Sequence, residues 1–348
     1  MNGASAISTI GGKSIWVCEE ASPTCPEPTL SSSRQLHPDG DRIVRFLKTV
    51  GLVVFVLIAA PPLWFMAFPE PARTLPAPGT RVFVAPDTAV NVLDAGSGPA
   101  VVLVHGLPGT AYDWRELTPL LNAAGLRTIA YDRVGYGHSD ARPSGPFTLS
   151  ANVEDLLALL EAMDLNDVTL VGWSYGGAMA LNVAHAPRVG RIVLIGSGGP
   201  SSDDDMPPAV PLSAKILYST PVVWWRVAVP PVSRALQAAL SDVAFSGGAQ
   251  PNWWLKDLAA AFTRWDTVQT YQGEVLSEIE VGDFDATRIG TPTLIIHAED
   301  DRLAPVAMGR YLAGRIPNAV YREVPGASHM LPVTHAPFVV DEIVAFVN

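Results

Sequence analysis

The stretch Val168-Thr-Leu-Val-Gly-Trp-Ser-Tyr-Gly-Gly177 most restricts how this chain can fold. Apolar and β-branched residues run up to Trp173, and Gly176, Gly177, Ala178, Met179, Ala180 and Leu181 then begin a helical pattern. Ser174 stands at the junction, inside Gly172-Trp-Ser-Tyr-Gly176. A G-x-S-x-G between a strand and a helix is a nucleophile elbow. A strained turn lifts the serine hydroxyl clear of the sheet, and the glycines let strand and helix backbones pass close together. The helix N-terminus behind the serine favours developing negative charge. The pentapeptide alone is also compatible with a mere small-residue turn, so its surroundings decide.

Strand and helix patterns alternate on both sides of it. Arg81–Val84 and Val90–Leu93 read as strands joined by a turn, and Ala100–Val104 reads as a buried strand ending in His105-Gly-Leu-Pro-Gly109. A helix is expected from about Tyr112 to Ala124. The strand Arg127–Tyr131 then runs into Asp132-Arg-Val-Gly-Tyr-Gly-His-Ser139. Ala151–Met163 has helical spacing with Ser150 as its cap, and Arg191–Ile195 is the strand after the elbow helix. This alternation implies a mostly parallel, doubly wound α/β sheet. From about 199 to 286 it lapses. Paired prolines (Pro207-Pro208, Pro230-Pro231) and paired tryptophans (Trp224-Trp225, Trp253-Trp254) suggest a mostly helical insertion over the carboxyl edge of the sheet. Such an apolar lid suits an apolar substrate.

The first part of the chain is different. Residues 1–41 are rich in Ser, Pro and Gly and read as a disordered tail. Arg42, Arg45 and Lys48 precede a run without charge from Val50 to Phe68, long enough to span a bilayer, with Trp64 and Phe65 near its far end and Pro61-Pro62 interrupting it. Residues 42–68 are therefore expected to be a single-pass membrane anchor. Arg34, Arg42, Arg45 and Lys48 on one side, against Arg73 and Arg81 on the other, put the N-terminus in the cytoplasm and the large domain on the periplasmic or extracellular side. A cleaved signal peptide is the rival reading, but the preceding segment is long and no A-x-A site follows. Residues 69–79 form a Pro-rich linker, and the folded domain occupies 80–348. The net charge of −11 lacks the basic footprint of a nucleic-acid binder. Cys18 and Cys25 have no histidine cluster beside them, so no metal site is expected.

A serine hydroxyl needs a base to take its proton, and the base needs an orienting carboxylate. Both stand past strand ends. Thr293–Ile296 runs into His297-Ala-Glu-Asp-Asp-Arg-Leu-Ala-Pro305, which offers Asp300 or Asp301, and Ala319–Val324 runs into Pro325-Gly-Ala-Ser-His-Met330, which offers His329. The chain order is Ser, acid, His.

These elements together resemble the serine α/β-hydrolases with a cap, esterase- or lipase-like, over residues 80–348. The resemblance implies the α/β-hydrolase fold with a helical cap at about 199–286. In that family's acid turn a glycine precedes the catalytic Asp by three. Ala298 stands in the glycine's place, which selects Asp301 over Asp300. The implied triad is Ser174, His329 and Asp301, and the implied oxyanion donors are the backbone N–H groups of Leu107 and Tyr175. Ser174 would attack an apolar carboxylic ester, with His329 shuttling the proton and water releasing the acid, and no cofactor is called for. His105 would prop the oxyanion loop, Asp132 would fix its turn, and His138 and His297 would be structural; His335 lies outside the motif. Relatives that open epoxides or remove halides use an Asp where Ser174 stands, and aminopeptidase relatives carry a different loop after His-Gly. C–C bond hydrolases of aromatic ring cleavage and perhydrolase-like enzymes use the same triad order and remain open, as does a non-catalytic binding module. An anchor ahead of a capped serine hydrolase is also similar to the membrane-anchored monoacylglycerol lipases, which points to an apolar ester or lipid as the small-molecule substrate, with the membrane engaged through the N-terminal helix.

Overall fold

The computed structural model describes residues 7–10, 13–16, 38–67, 78–142, 144–198, 230–261, 264–277 and 285–348. The rest of the tail, the linker from 69 to 77 and the cap segments 199–229, 262–263 and 278–284 lie outside the described residues.

Within the stretch read as disordered, β1 (Ile7–Ile10) and β2 (Lys13–Trp16) pair antiparallel, with Ile10 opposite Lys13. Gly11-Gly12 separates the two runs in sequence, a dipeptide favoured in two-residue hairpin turns and a local signal that bulk composition hides. Helix α1 spans Pro38–Ala67 and exposes Ile43, Phe46, Leu52 and Phe55. Among the described residues no helix is long and apolar enough to cross a membrane, so the transmembrane helix expected at 42–68 is not shown. The described side chains from 42 to 56 include Arg42, Arg45 and Lys48, and the charge-free run beyond them is described only in part.

Among the described residues, the large domain is built on eight strands: β3 (Thr80–Ala85), β4 (Thr88–Ala95), β5 (Ala100–Val104), β6 (Arg127–Tyr131), β7 (Val168–Trp173), β8 (Val189–Ile195), β9 (Thr293–Ala298) and β10 (Val320–Val324). Their order across the sheet is β10-β9-β8-β7-β5-β6-β4-β3. Pairing is parallel from β10 to β6 and antiparallel where β4 meets β6 and β3. Every residue of β7 is buried, as a central strand covered on both faces requires.

Alternate residues of β5 divide between two apolar layers. Val102 and Val104 pack with Leu156, Leu160, Met179 and Leu312, carried by α3 (Leu149–Ala162), by α4 (Tyr175–Asn182) and, in the case of Leu312, by a later helix, Val306–Arg315. Val101 and Leu103 pack with Leu121, Val339 and Ile343, carried by α2 (Thr118–Ala123) and the C-terminal helix Ala336–Val347. The sheet is thus doubly wound, as the alternation implies.

Two helix starts differ from the sequence reading. The helix expected from Tyr112 is a 3-10 turn, Ala111–Trp114, capped by Thr110 and Asp113, followed by α2 with Pro119 in its first turn. Helix α3 begins at Leu149 and is capped by Thr148, whose side chain accepts from the Ala151 N–H, so Ser150 is not the cap. Between 199 and 286 the described residues form α5 (Pro230–Ala244), α6 (Trp254–Ala261) and α7 (Trp265–Ser277).

Candidate active site

Ser174 lies between β7 and α4 with φ 55° and ψ −119°, a conformation that costs a non-glycine residue about 1–3 kcal/mol. Its neighbours hold it there. The Ser174 N–H donates to the Ile195 carbonyl at 2.9 Å, and its carbonyl accepts from the Gly177 N–H at 2.9 Å and the Ser197 hydroxyl at 3.1 Å. Only glycine fits on either side: a Cβ at Gly172 would lie 2.3 Å from the Gly176 carbonyl oxygen, and one at Gly176 2.1 Å from that of Val104.

Asp301 and His329 come from the turns after β9 and β10. His329 Nδ1 is 2.7 Å from Asp301 Oδ2, and both residues are buried. The other oxygen, Oδ1, accepts the N–H groups of Leu303 at 2.9 Å and Ala304 at 2.7 Å, so the carboxylate is oriented before it meets the imidazole. A carboxylate only accepts, so Nδ1 carries a proton and, in the neutral ring, Nε2 is left able to take one. Asp300 is exposed, and its carbonyl accepts the Ser246 hydroxyl at 2.6 Å. The Trp173 indole N–H donates to the His329 carbonyl at 3.0 Å, and the two rings lie 5.8 Å apart. Among the described residues no hydrogen bond joins Ser174 Oγ to His329; such contacts are often long before substrate binds. Gly196, just past β8 with φ +52°, makes room for the pair. A Cβ there would lie 3.2 Å from Asp301 Oδ2 and 3.3 Å from His329 Nδ1.

The His105–Gly109 loop abuts the elbow: a Cβ on Gly106 would be 3.2 Å from that of Ser174. Leu107 follows, half-buried, and Tyr175 is buried as the first residue of α4, where the backbone N–H has no intrahelical acceptor. His105 is fully buried, with Nε2 accepting the Arg133 N–H at 3.0 Å and Nδ1 2.9 Å from the Gly106 carbonyl. Burial, then the Arg133 charge, holds its pKa well below the usual histidine value, so it stays neutral and braces the loop. Asp132 receives the N–H groups of Ala111 and His138 and the Asn91 amide, the pattern of a residue that fixes a turn. His297 donates toward the Ala304 carbonyl at 2.7 Å and lies 3.7 Å from Asp301, with burial lowering its pKa.

The glycine-rich segment after β6 has a part that its sequence does not reveal. It seats the cap helix α7 and Arg264 just before it. Arg264 donates to the carbonyls of Gly137 and Ser139 at 2.8 and 3.2 Å, and the Thr267 hydroxyl to that of Gly135 at 2.8 Å. Arg133 pairs with Glu274 at 2.6 Å, both side chains essentially without solvent exposure. A second cation, Arg115, stacks 3.8 Å above the Trp253 ring and pairs with Asp257 on α6. No motif links Arg133 to a residue 141 positions further on, so the sequence carries no signal for these contacts.

Comparison with known proteins agrees with this geometry. Residues 101–342 match the Alpha/beta hydrolase family. The non-heme chloroperoxidase of Streptomyces lividans is 30% identical over 261 residues, covering 72% of this chain and 92% of that protein. The 2-hydroxy-6-oxononadienedioate/2-hydroxy-6-oxononatrienedioate hydrolase of Paraburkholderia xenovorans is 31% identical, covering 70% and 85%. A bromoperoxidase from Bacillus anthracis shares the fold with a TM-score of 0.66 at 24% identity, covering 77% of this chain and 99% of that structure. With a strand order that seats an elbow serine past β7, an acid past β9 and a histidine past β10, and a family match over most of its length, the chain belongs to the alpha/beta hydrolase family.

Proposed function

We propose that this hydrolase cleaves an apolar carboxylic ester through an acyl-enzyme on Ser174. His329 takes the serine proton as Oγ bonds to the ester carbonyl carbon, and returns it to the departing alcohol. Water then attacks the acyl-enzyme with His329 again as base, releasing the acid and restoring the serine. Asp301 holds the imidazole, and the Leu107 and Tyr175 N–H groups receive the oxyanion. The observations that carry the reading are the buried Asp301–His329 pair, tied through the His329 carbonyl to Trp173, and the elbow conformation of Ser174, the next residue in the chain. An apolar substrate is supported by the aromatic run from Trp173 to the cap, with Trp254 at 6.5 Å and Phe245 beyond it.

Anchoring to a membrane through residues 42–68, with the N-terminus cytoplasmic and the hydrolase domain outside, is part of the proposal. It is supported by the exposed apolar side chains of α1 at Val50 and from Leu52 to Val56 and by Arg42, Arg45 and Lys48 ahead of them. A second reading, C–C bond hydrolysis on the same three residues, draws support from the similarity to the Paraburkholderia xenovorans hydrolase. Perhydrolase-like chemistry draws it from the similarity to the chloroperoxidase.

The test is labelling of detergent-extracted protein by a fluorophosphonate, with Ser174→Ala and His329→Ala alongside, followed by a panel of esters, glycerides and a dienoic ring-cleavage product. Labelling and ester turnover in the wild type alone support the proposal. Turnover of the ring-cleavage product with poor ester turnover moves the assignment to C–C hydrolysis. An unlabelled, folded wild type refutes the serine mechanism and favours a binding module.

A further inference from the structure

We infer that Glu274, a carboxylate on the cap, positions both proposed oxyanion donors; this rests on reading Leu107 and Tyr175 as those donors. Glu274 lies on α7 and its side chain has no solvent exposure. Oε1 accepts from Arg133 Nη1 at 2.6 Å and from the Asn152 amide at 2.5 Å, and Oε2 accepts the Tyr136 hydroxyl at 2.7 Å. Two arms leave this carboxylate, and each ends on a donor residue.

In the first arm, Arg133 Nη2 donates to the Gly106 carbonyl at 3.0 Å. That carbonyl belongs to the same peptide unit as the Leu107 N–H. The unit is planar, so holding its oxygen sets the direction of its N–H. His105 Nδ1 contacts the same oxygen at 2.9 Å. In the second arm, Asn152 on α3 donates to the Tyr175 hydroxyl at 3.0 Å, and the Arg133 guanidinium lies 4.6 Å from the Tyr175 ring centroid. Tyr175 is thereby held from its side chain while its N–H opens α4.

Stability alone does not call for charge here. Burying two ions carries a desolvation cost before they pair, and apolar residues of similar volume often hold such an interface as well. Arg133 even leaves its Nε–H without an acceptor among the described residues, so its fork is aimed at Glu274 and Gly106 and not at full satisfaction. Burial opposes the Arg133 charge, but the Glu274 carboxylate and the tyrosine rings outweigh it and keep the guanidinium protonated. The cap is thus wired to the oxyanion loop and to the first residue of the elbow helix through one carboxylate.

Glu274→Gln keeps the size and one acceptor but removes the charge. Wild type and variant are compared for ester kcat and KM, for affinity toward a trifluoromethyl ketone that forms a tetrahedral adduct, and for the titratable active fraction. The expected result per active site is a kcat lowered about 10- to 100-fold, a matching loss of ketone affinity, and a KM within about 3-fold. A kcat within about 3-fold of wild type overturns the inference, as does a loss explained wholly by a smaller active fraction. Should Glu274→Gln not fold, Arg133→Lys keeps a cation beside Glu274 but cannot span to Gly106, and the same split between kcat and KM decides. If the wild type itself neither labels with a fluorophosphonate nor turns over ester, it is the serine mechanism that has failed.

Discussion

At the scale of single residues, the acid turn separates two adjacent carboxylates by burial and by hydrogen bonding. Asp301 is buried, takes two backbone N–H groups on one oxygen and faces His329 with the other, whereas Asp300 is exposed. Asp301→Asn is therefore expected to lower kcat about 10⁴-fold, because an amide donor opposite Nδ1 favours the wrong imidazole tautomer. Asp300→Asn should stay within about 3-fold, as surface changes away from a site do. Steady-state kinetics on the best ester distinguish them, and equal losses would mean that the exposed carboxylate takes part. The spacing from Ala298 selects Asp301 only through the resemblance to the family's acid turn; the adjacent carboxylates by themselves left the choice open. Gly196 was not legible as a site residue. Its demand for space comes from Asp301 and His329, which approach it from two other strands.

At the scale of elements, strands were read more surely than helix ends. Strand β7 is buried along its whole length, and its apolar run admits no other assignment so close to the elbow. Helix starts depend on single hydrogen bonds that hydrophobic spacing does not reveal. Thr148 caps α3 because its hydroxyl reaches the Ala151 N–H, while Ser150, two residues on, is exposed on the helix surface. Thr148→Ala should lower unfolding free energy by about 1 kcal/mol. Ser150→Ala should change it by less than about 0.5 kcal/mol. Urea denaturation followed by circular dichroism measures both, and a larger loss at Ser150 would reverse the assignment. The same limit explains the broken helix at 111–123, where Thr110 and Asp113 close one turn and Pro119 opens the next.

For the whole molecule, the chain divides into two compact units, Met1–Val54 and Phe55–Asn348, and every residue proposed for catalysis lies in the second. A chain beginning at residue 78 should keep ester kcat/KM within about 3-fold, since the sheet and both apolar layers lie beyond that point. If residues 42–68 anchor the chain as proposed, the full chain should sediment with membranes and the shortened one should stay soluble. Sedimentation of the shortened chain would show that membrane attachment lies elsewhere. The sequence by itself determined which segments of the large domain become strands, where the chain turns sharply and which side chains wait at strand ends. Those properties rest on apolar periodicity, glycine placement and spacing, all of which act within a few residues. Only the tertiary structure decided that β5 lies between β7 and β6, and that Glu274 reaches Arg133 and Asn152. Such pairings join residues far apart in the chain, and they exist only once the sheet has formed and the cap has closed over the turn after β6.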